Sequence, residues 1–230
     1  MKKALLLTCI VLLYHVSYAQ LTENTGWLFL NHQQKLNEKF DFLFDAQLRS
    51  ANNFDYLTTL LLRGGLSYNF NKKHSAAVGY VYKGDWEHDD MGEVAYTLEN
   101  RLFEQYLYQF KIKHTEFQIR ARLEQRFVKE EQVDFSQRAR AFISMQLPLL
   151  TDSAFTRGWF LGLQNELFVN VQHNERVNNS FFDQNRPYLS LGYRLSKKAD
   201  LQLGYLYWLQ KEEDATYQHN VLQITIATNF

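Results

Sequence analysis

The sequence predicts an all-β fold, a transmembrane, antiparallel, up-and-down β-barrel of ten to twelve strands. Three observations carry that expectation. From residue 40 onward apolar and polar residues alternate with period two through most of the chain. Aromatic residues make up 16% of the 230 residues and only 2 are Pro, so strand formers are plentiful and strand breakers scarce. Beyond the first twenty residues no apolar run is long enough for a membrane-spanning helix, which leaves either a soluble exported protein or a closed barrel that satisfies its own backbone.

The first element reads as an address. Lys2 and Lys3 precede an apolar run over residues 4–13, and Ser17-Tyr18-Ala19 offers a small-x-small cleavage site. The expected organisation is a cleaved signal over residues 1–19 and one barrel domain over residues 20–230. Cys9, the only cysteine, lies within the signal, so neither a disulfide framework nor a thiolate site is expected after it. Lys plus Arg and Asp plus Glu both number 25, a balance that argues against a nucleic-acid partner.

The strands follow in order. Phe40, Phe42, Phe44, Ala46 and Leu48 oppose Asp41, Asp45, Gln47 and Arg49; Leu60, Leu62 and Leu66 oppose Thr59, Arg63 and Ser67. Val78, Tyr80 and Tyr82 share a face, as do Phe117, Ile119, Leu123 and Phe127 against Gln118, Arg120, Arg122, Glu124 and Arg126. The dyad repeats with Ala139, Ala141 and Ile143 against Arg138 and Arg140, then with Leu163 and Leu167 against Gln164 and Glu166. It closes with Leu201, Leu203 and Tyr205, and with Leu222, Ile224, Ile226 and Phe230. Residues 98–111 also admit a helical face, and alternation is poor over 26–36. Short links at 35–38, 71–73, 113–115 and 196–199 interleave with longer ones at 87–94, 173–183 and 211–216, as in an outer-membrane barrel. The link over 148–155 is long where a short one is expected. About eleven strands can be counted; with both termini on one side an even number is needed, so ten or twelve are expected, with the error near 26–36.

If the apolar face meets lipid, the lumen receives Arg49, Arg63, Lys83, Arg101, Arg120, Arg122, Arg126, Arg138, Arg140, Arg186 and Arg194, with Asp41, Asp45, Glu99, Glu124 and Glu166. Eleven basic groups against five acidic ones leave an excess of six positive charges. Two readings follow: a narrow passive pore favouring small anions, or a barrel plugged by paired charges. In the pore reading Arg120, Arg122, Arg126, Arg138 and Arg140 set the field, held by Glu124 and Glu166. Asn100, Glu104 and Asn165 fall on the lipid face against the pattern. No enzyme is expected: His173 and Ser180 share a loop, whereas His74 and Ser75, adjacent on a strand, point to opposite faces. The acidic loop Asp85-Trp86-Glu87-His88-Asp89-Asp90 reads as solvated rather than as a metal site, and no cofactor motif occurs.

Several strings carry a family resemblance: Gln47-Leu48-Arg49-Ser50, Leu60-Leu61-Leu62-Arg63-Gly64-Gly65, Tyr68-Asn69-Phe70-Asn71-Lys72-Lys73-His74, Arg122-Leu123-Glu124-Gln125-Arg126-Phe127, Leu163-Gln164-Asn165-Glu166-Leu167-Phe168 and Phe182-Asp183-Gln184-Asn185-Arg186-Pro187-Tyr188. Together they resemble the domain-of-unknown-function family 2490, found largely in Bacteroidetes and grouped with outer-membrane β-barrels. The resemblance implies a barrel in the outer membrane and transfers no functional residue. With the signal, it leads to an expected location in the outer membrane of a Gram-negative bacterium. The expected partners are membrane lipid, the barrel-assembly machinery reading terminal Phe230, and a solute of unknown identity. The rival expectations are a soluble lipocalin-type barrel, with the faces inverted around an apolar ligand, and a membrane-embedded lipid hydrolase.

Overall fold

The computed structural model describes residues 21–88, 92–129 and 132–230. The expected signal over residues 1–19 lies outside the described residues, as do Asp89 and Asp90 of the acidic loop. Twelve strand segments follow one another: β1 (Leu21–Lys35), β2 (Phe40–Ser50), β3 (Leu57–Asn69), β4 (His74–His88), β5 (Val94–Ile112), β6 (Thr115–Lys129), β7 (Val133–Thr151), β8 (Gly158–Gln172), β9 (Phe182–Asn185), β10 (Tyr188–Ser196), β11 (Ala199–Lys211) and β12 (Thr216–Asn229).

Both β9 and β10 pair with β8 and with β11, and only Arg186-Pro187 separates them. They form one stave, interrupted where proline has no N–H to give to the ladder. The result is a closed barrel of eleven staves, antiparallel throughout except where β1 pairs with β12 in parallel, Leu21 opposite Tyr217 and Gln33 opposite Asn229. Eleven matches the count read from the alternation, and the parity argument that turned it into ten or twelve does not hold. With an odd number of staves the chain enters the barrel at one rim and leaves it at the other. Residues 26–35 belong to strand β1; alternation is weak there because Trp27 and Phe29 face inward while Asn31, His32, Gln33 and Gln34 crowd the rim. Residues 98–111 belong to strand β5, not a helix.

The facing follows the dyad. Val78, Leu102, Ile143, Leu203 and Ile224 lie exposed on the outer face, whereas Asp45, Arg101, Glu124 and Arg138 are buried on the inner one. This is the reverse of a lipocalin-type barrel. Aromatic pairs band both ends of the outer wall: Phe40–Tyr68, Phe110–Phe117 and Trp159–Tyr193 near the short turns, Trp86–Tyr96 and Phe127–Phe135 near the longer loops. The inner face also takes large rings that alternation alone does not assign there. Phe103 lies in register with Gly79 and Phe160 with Gly192, and a Cβ on either glycine would sit about 2.5 Å or less from the ring. Each glycine is therefore the hole for an aromatic knob on the neighbouring strand. The long 148–155 link resolves similarly: β7 runs on to Thr151, and Phe155 tucks inward against the Arg194 guanidinium, 3.9 Å from its ring centroid.

Candidate functional site

All eleven basic residues assigned to the lumen lie on the inner face, and so do the five carboxylates. Strand register decides which of them meet. Glu124 on β6 stands opposite Arg138 on β7 and is 0% exposed. Arg138 donates to its Oε2 from Nη2 and Nε at 2.7 and 3.1 Å, and Arg140 donates to its Oε1 at 2.5 Å. Arg122 and Arg101 stand 3.7 and 3.8 Å away.

The contacts run outward from that centre. Arg138 also donates to Asp183 at 2.9 Å, while Arg140 and Arg120 share Glu166, each at 2.8 Å. Arg101 grips Glu99 with two bonds at 2.8 and 2.7 Å, and Arg126 joins it at 2.5 Å. Lys83 pairs with Asp85, which accepts from the Thr59 hydroxyl at 2.7 Å. Like charges thus stand opposite each other at Arg101–Arg126 and Arg122–Arg140, and the pairing is tolerated because a carboxylate sits between the members of each pair.

Arg186 and Arg49 depart from this pattern. Neither has a carboxylate ion pair among the described residues; Arg186 bonds Gln184 at 2.6 Å and Arg49 bonds Gln47 at 2.8 Å. Their guanidinium planes lie on rings instead. Arg49 is 3.9 Å from Trp27, and Arg186 lies 4.6 to 5.3 Å from Phe168, Trp208 and Trp27. Stacking of this kind stabilises a desolvated cation by roughly 1–2 kcal/mol. It also bridges β8 to β1 and β11, so a continuous run of contacts crosses the loop-side half of the lumen.

The count of five lumen acids leaves out four carboxylates, although the string from Asp183 to Arg186 places Asp183 on the lumen side. Asp85, Asp183, Glu116 and Asp200 join the lumen cations, so the inner face holds nine carboxylates against the eleven basic groups and the excess falls from six to two; Asp41, one of the nine, accepts from Gln33 and Asn69 instead of a cation. Glu116 keeps the phase of Gln118 and Arg120, and Asp85 that of Lys83, so alternation turns both inward once the strand bounds are fixed; Asp183 lies on the short segment β9 and Asp200 at a strand start.

The turn-side half differs. It holds a chamber of about 880 Å³ whose lining runs from Lys72, Lys73, Lys197 and Lys198 at the rim to Arg122, Arg140 and Arg186 at its floor. Its acidic lining, Asp45, Glu116, Glu166 and Asp200, is already engaged by Arg63, Arg194, Arg120 and Arg140.

The other candidates lie elsewhere. His173, at the loop rim, contacts Glu175 and Gln172, and His74 lies on the outer wall against Tyr106 and Tyr108. Among the described residues no group of three metal-ligating side chains occurs. Glu104 on the outer face accepts from Gln125 at 3.1 Å, and Asn100 accepts from the Tyr80 hydroxyl. At the loop rim burial pushes the Glu212 carboxyl up from its ordinary range. Phe230 ends at the turn rim, its N–H donating to the Gln33 carbonyl at 2.9 Å and its ring beneath Lys198.

The family described as "Protein of unknown function (DUF2490)" matches the chain over residues 24–219. No curated protein and no solved structure matches it.

Proposed function

The chain belongs to the DUF2490 family, and from that footing we propose that it is an outer-membrane barrel whose lumen is closed to through-flow. The membrane reading is supported by the outer wall, apolar between two aromatic bands, as lipid-facing strands require. Of the two lumen readings, the plugged one is favoured, and a single observation carries it. Glu124, without solvent exposure, ties together cations from β5, β6 and β7, and the Arg186 stack continues that contact to β8, β11 and β1. An ion passing through would have to separate charges that hold one another at 2.5 to 2.9 Å. In this reading the arginines are the plug rather than the selectivity element of a pore.

The test is a planar bilayer holding the purified protein under a chloride gradient. The native barrel is expected to insert and remain silent, while a Glu124→Ala, Glu166→Ala variant shows current. Discrete anion-selective steps from the native protein would overturn the closed lumen. Recovery of the protein in the soluble fraction of fractionated cells would overturn the membrane reading.

A further inference from the structure

The turn-side chamber carries a charge imbalance that its own walls do not settle. Eleven Lys and Arg line it against four carboxylates. Those carboxylates are taken: Asp45 by Arg63 at 2.8 Å, Glu166 by Arg120 and Arg140, Glu116 and Asp200 by Arg194. Lys72, Lys73, Lys197 and Lys198 at the rim make no ion pair among the described residues. At the floor, two arginines more than nine-tenths buried, Arg63 and Arg122, each keep an N–H without a hydrogen-bond partner, as do Arg120 and Arg186. Between rim and floor the walls carry side-chain amides, among them Gln109, Gln118, Gln146 and Gln202.

Each feature narrows the ligand. The arginines that line the chamber, Arg120, Arg122, Arg140 and Arg186 among them, match the planar or tetrahedral oxygens of carboxylate and phosphate, which guanidinium groups bind through N–H bonds. Lysines around a mouth concentrate anions ahead of binding. Amide walls suit a solute with further polar groups. The volume lies within the ordinary range for a small-molecule pocket and is too small for a polymer. The barrel wall separates the chamber from lipid, so the anion comes from solution and not from a membrane headgroup. We propose that this chamber is a binding site for a compact multivalent oxyanion, a phosphorylated or polycarboxylated small molecule, entering at the short-turn rim. The site rests on the closed-lumen reading, since an open pore has no floor.

Calorimetric titration of the detergent-solubilised barrel with pyrophosphate, and separately with citrate, tests it. Saturable one-to-one binding is expected at about 0.15 M salt, where exposed charges alone are largely screened beyond ~8 Å. Chloride at equal ionic strength should not compete. Two variants locate the ligand. Arg120→Gln leaves Glu166 paired with Arg140 and should weaken binding roughly tenfold, the range for a partly buried charge contact. Replacing the four rim lysines by Gln should slow association roughly tenfold and flatten its salt dependence, while heat-modifiable migration confirms that both variants fold. No binding to the native barrel, or binding indifferent to Arg120→Gln, overturns the site. The two readings fail separately: native channel steps remove the floor, whereas a silent barrel that ignores pyrophosphate removes only the anion site.

Discussion

The two halves of the lumen are built from the same strands and the same residue types, yet one is closed and the other hollow. In the loop-side half, carboxylates are interleaved among the arginines: Glu99, Glu124, Asp85 and Asp183 lie between Arg101, Arg126, Arg138 and Lys83. The turn-side chamber is lined by eleven basic residues against four acidic ones, with Arg122, Arg140 and Arg186 at its floor shared with the closed half. Long cations pack densely where anions, or aromatic rings as at Arg49 and Arg186, lie between them; without either they repel one another and leave room for solvent or a ligand. Burial in this barrel therefore follows charge alternation more than side-chain size.

Equivalent substitutions in the two halves sharpen that contrast. Glu124→Gln should be the most damaging, because it leaves buried guanidinium groups uncompensated at a cost of about 3–5 kcal/mol. Denaturant unfolding in detergent reads this loss; a change under about 1 kcal/mol would mean that the network does not hold the closed half together. Trp27→Ala should cost about 3 kcal/mol, since it empties a buried site and removes the ring beneath Arg49. In the hollow half, Glu116→Gln should cost only about 1 kcal/mol or less: Glu116 is 24% exposed, and Arg194 keeps Asp200. A Glu116 loss equal to that of Glu124 would erase the distinction between the halves.

The rims offer a milder test. Glu212 is held above its ordinary range by burial at the loop rim, so the folded state favours its neutral form. Its contribution is full below the unfolded value of about 4.3 and is lost as pH rises through the raised folded value. Glu212→Gln should flatten that decline by at most about 0.5 kcal/mol, read from unfolding midpoints across pH 4 to 7. A variant as pH-dependent as the native protein would assign the slope to other groups.

Parallel pairing of β1 with β12 adds a topological consequence. Leu21 and Phe230 lie at opposite rims, so for the proposed outer-membrane barrel an epitope tag at only one of the two ends should be accessible from outside intact cells. Equal accessibility would contradict the eleven-stave closure.

The strand pattern made the barrel and its facing legible without any structure. Arg120 and Arg122 lie inward and Ile119 and Leu123 outward because successive side chains on a strand must alternate. The same rule predicted Arg138, Arg140 and Glu166, and it located Glu124. It was blind to Phe103, Phe160 and Phe168, large rings on the polar face whose places depend on glycines or arginines of neighbouring strands. The sequence placed Asp183 on the lumen side but not its partner: it meets Arg138 from a four-residue segment 45 positions away in the chain.

Composition and period-two alternation, properties of local sequence, determined by themselves an all-β chain with an apolar outer wall and a charged interior. Closure decided the rest. The number of staves, the parallel seam and the height at which Glu124 meets four arginines all depend on register accumulated around the whole circumference. A displacement of two residues at any strand pair keeps every side chain on its face but changes its partners. The plug below one rim and the chamber below the other are set by that register, a long-range property that no window of sequence contains.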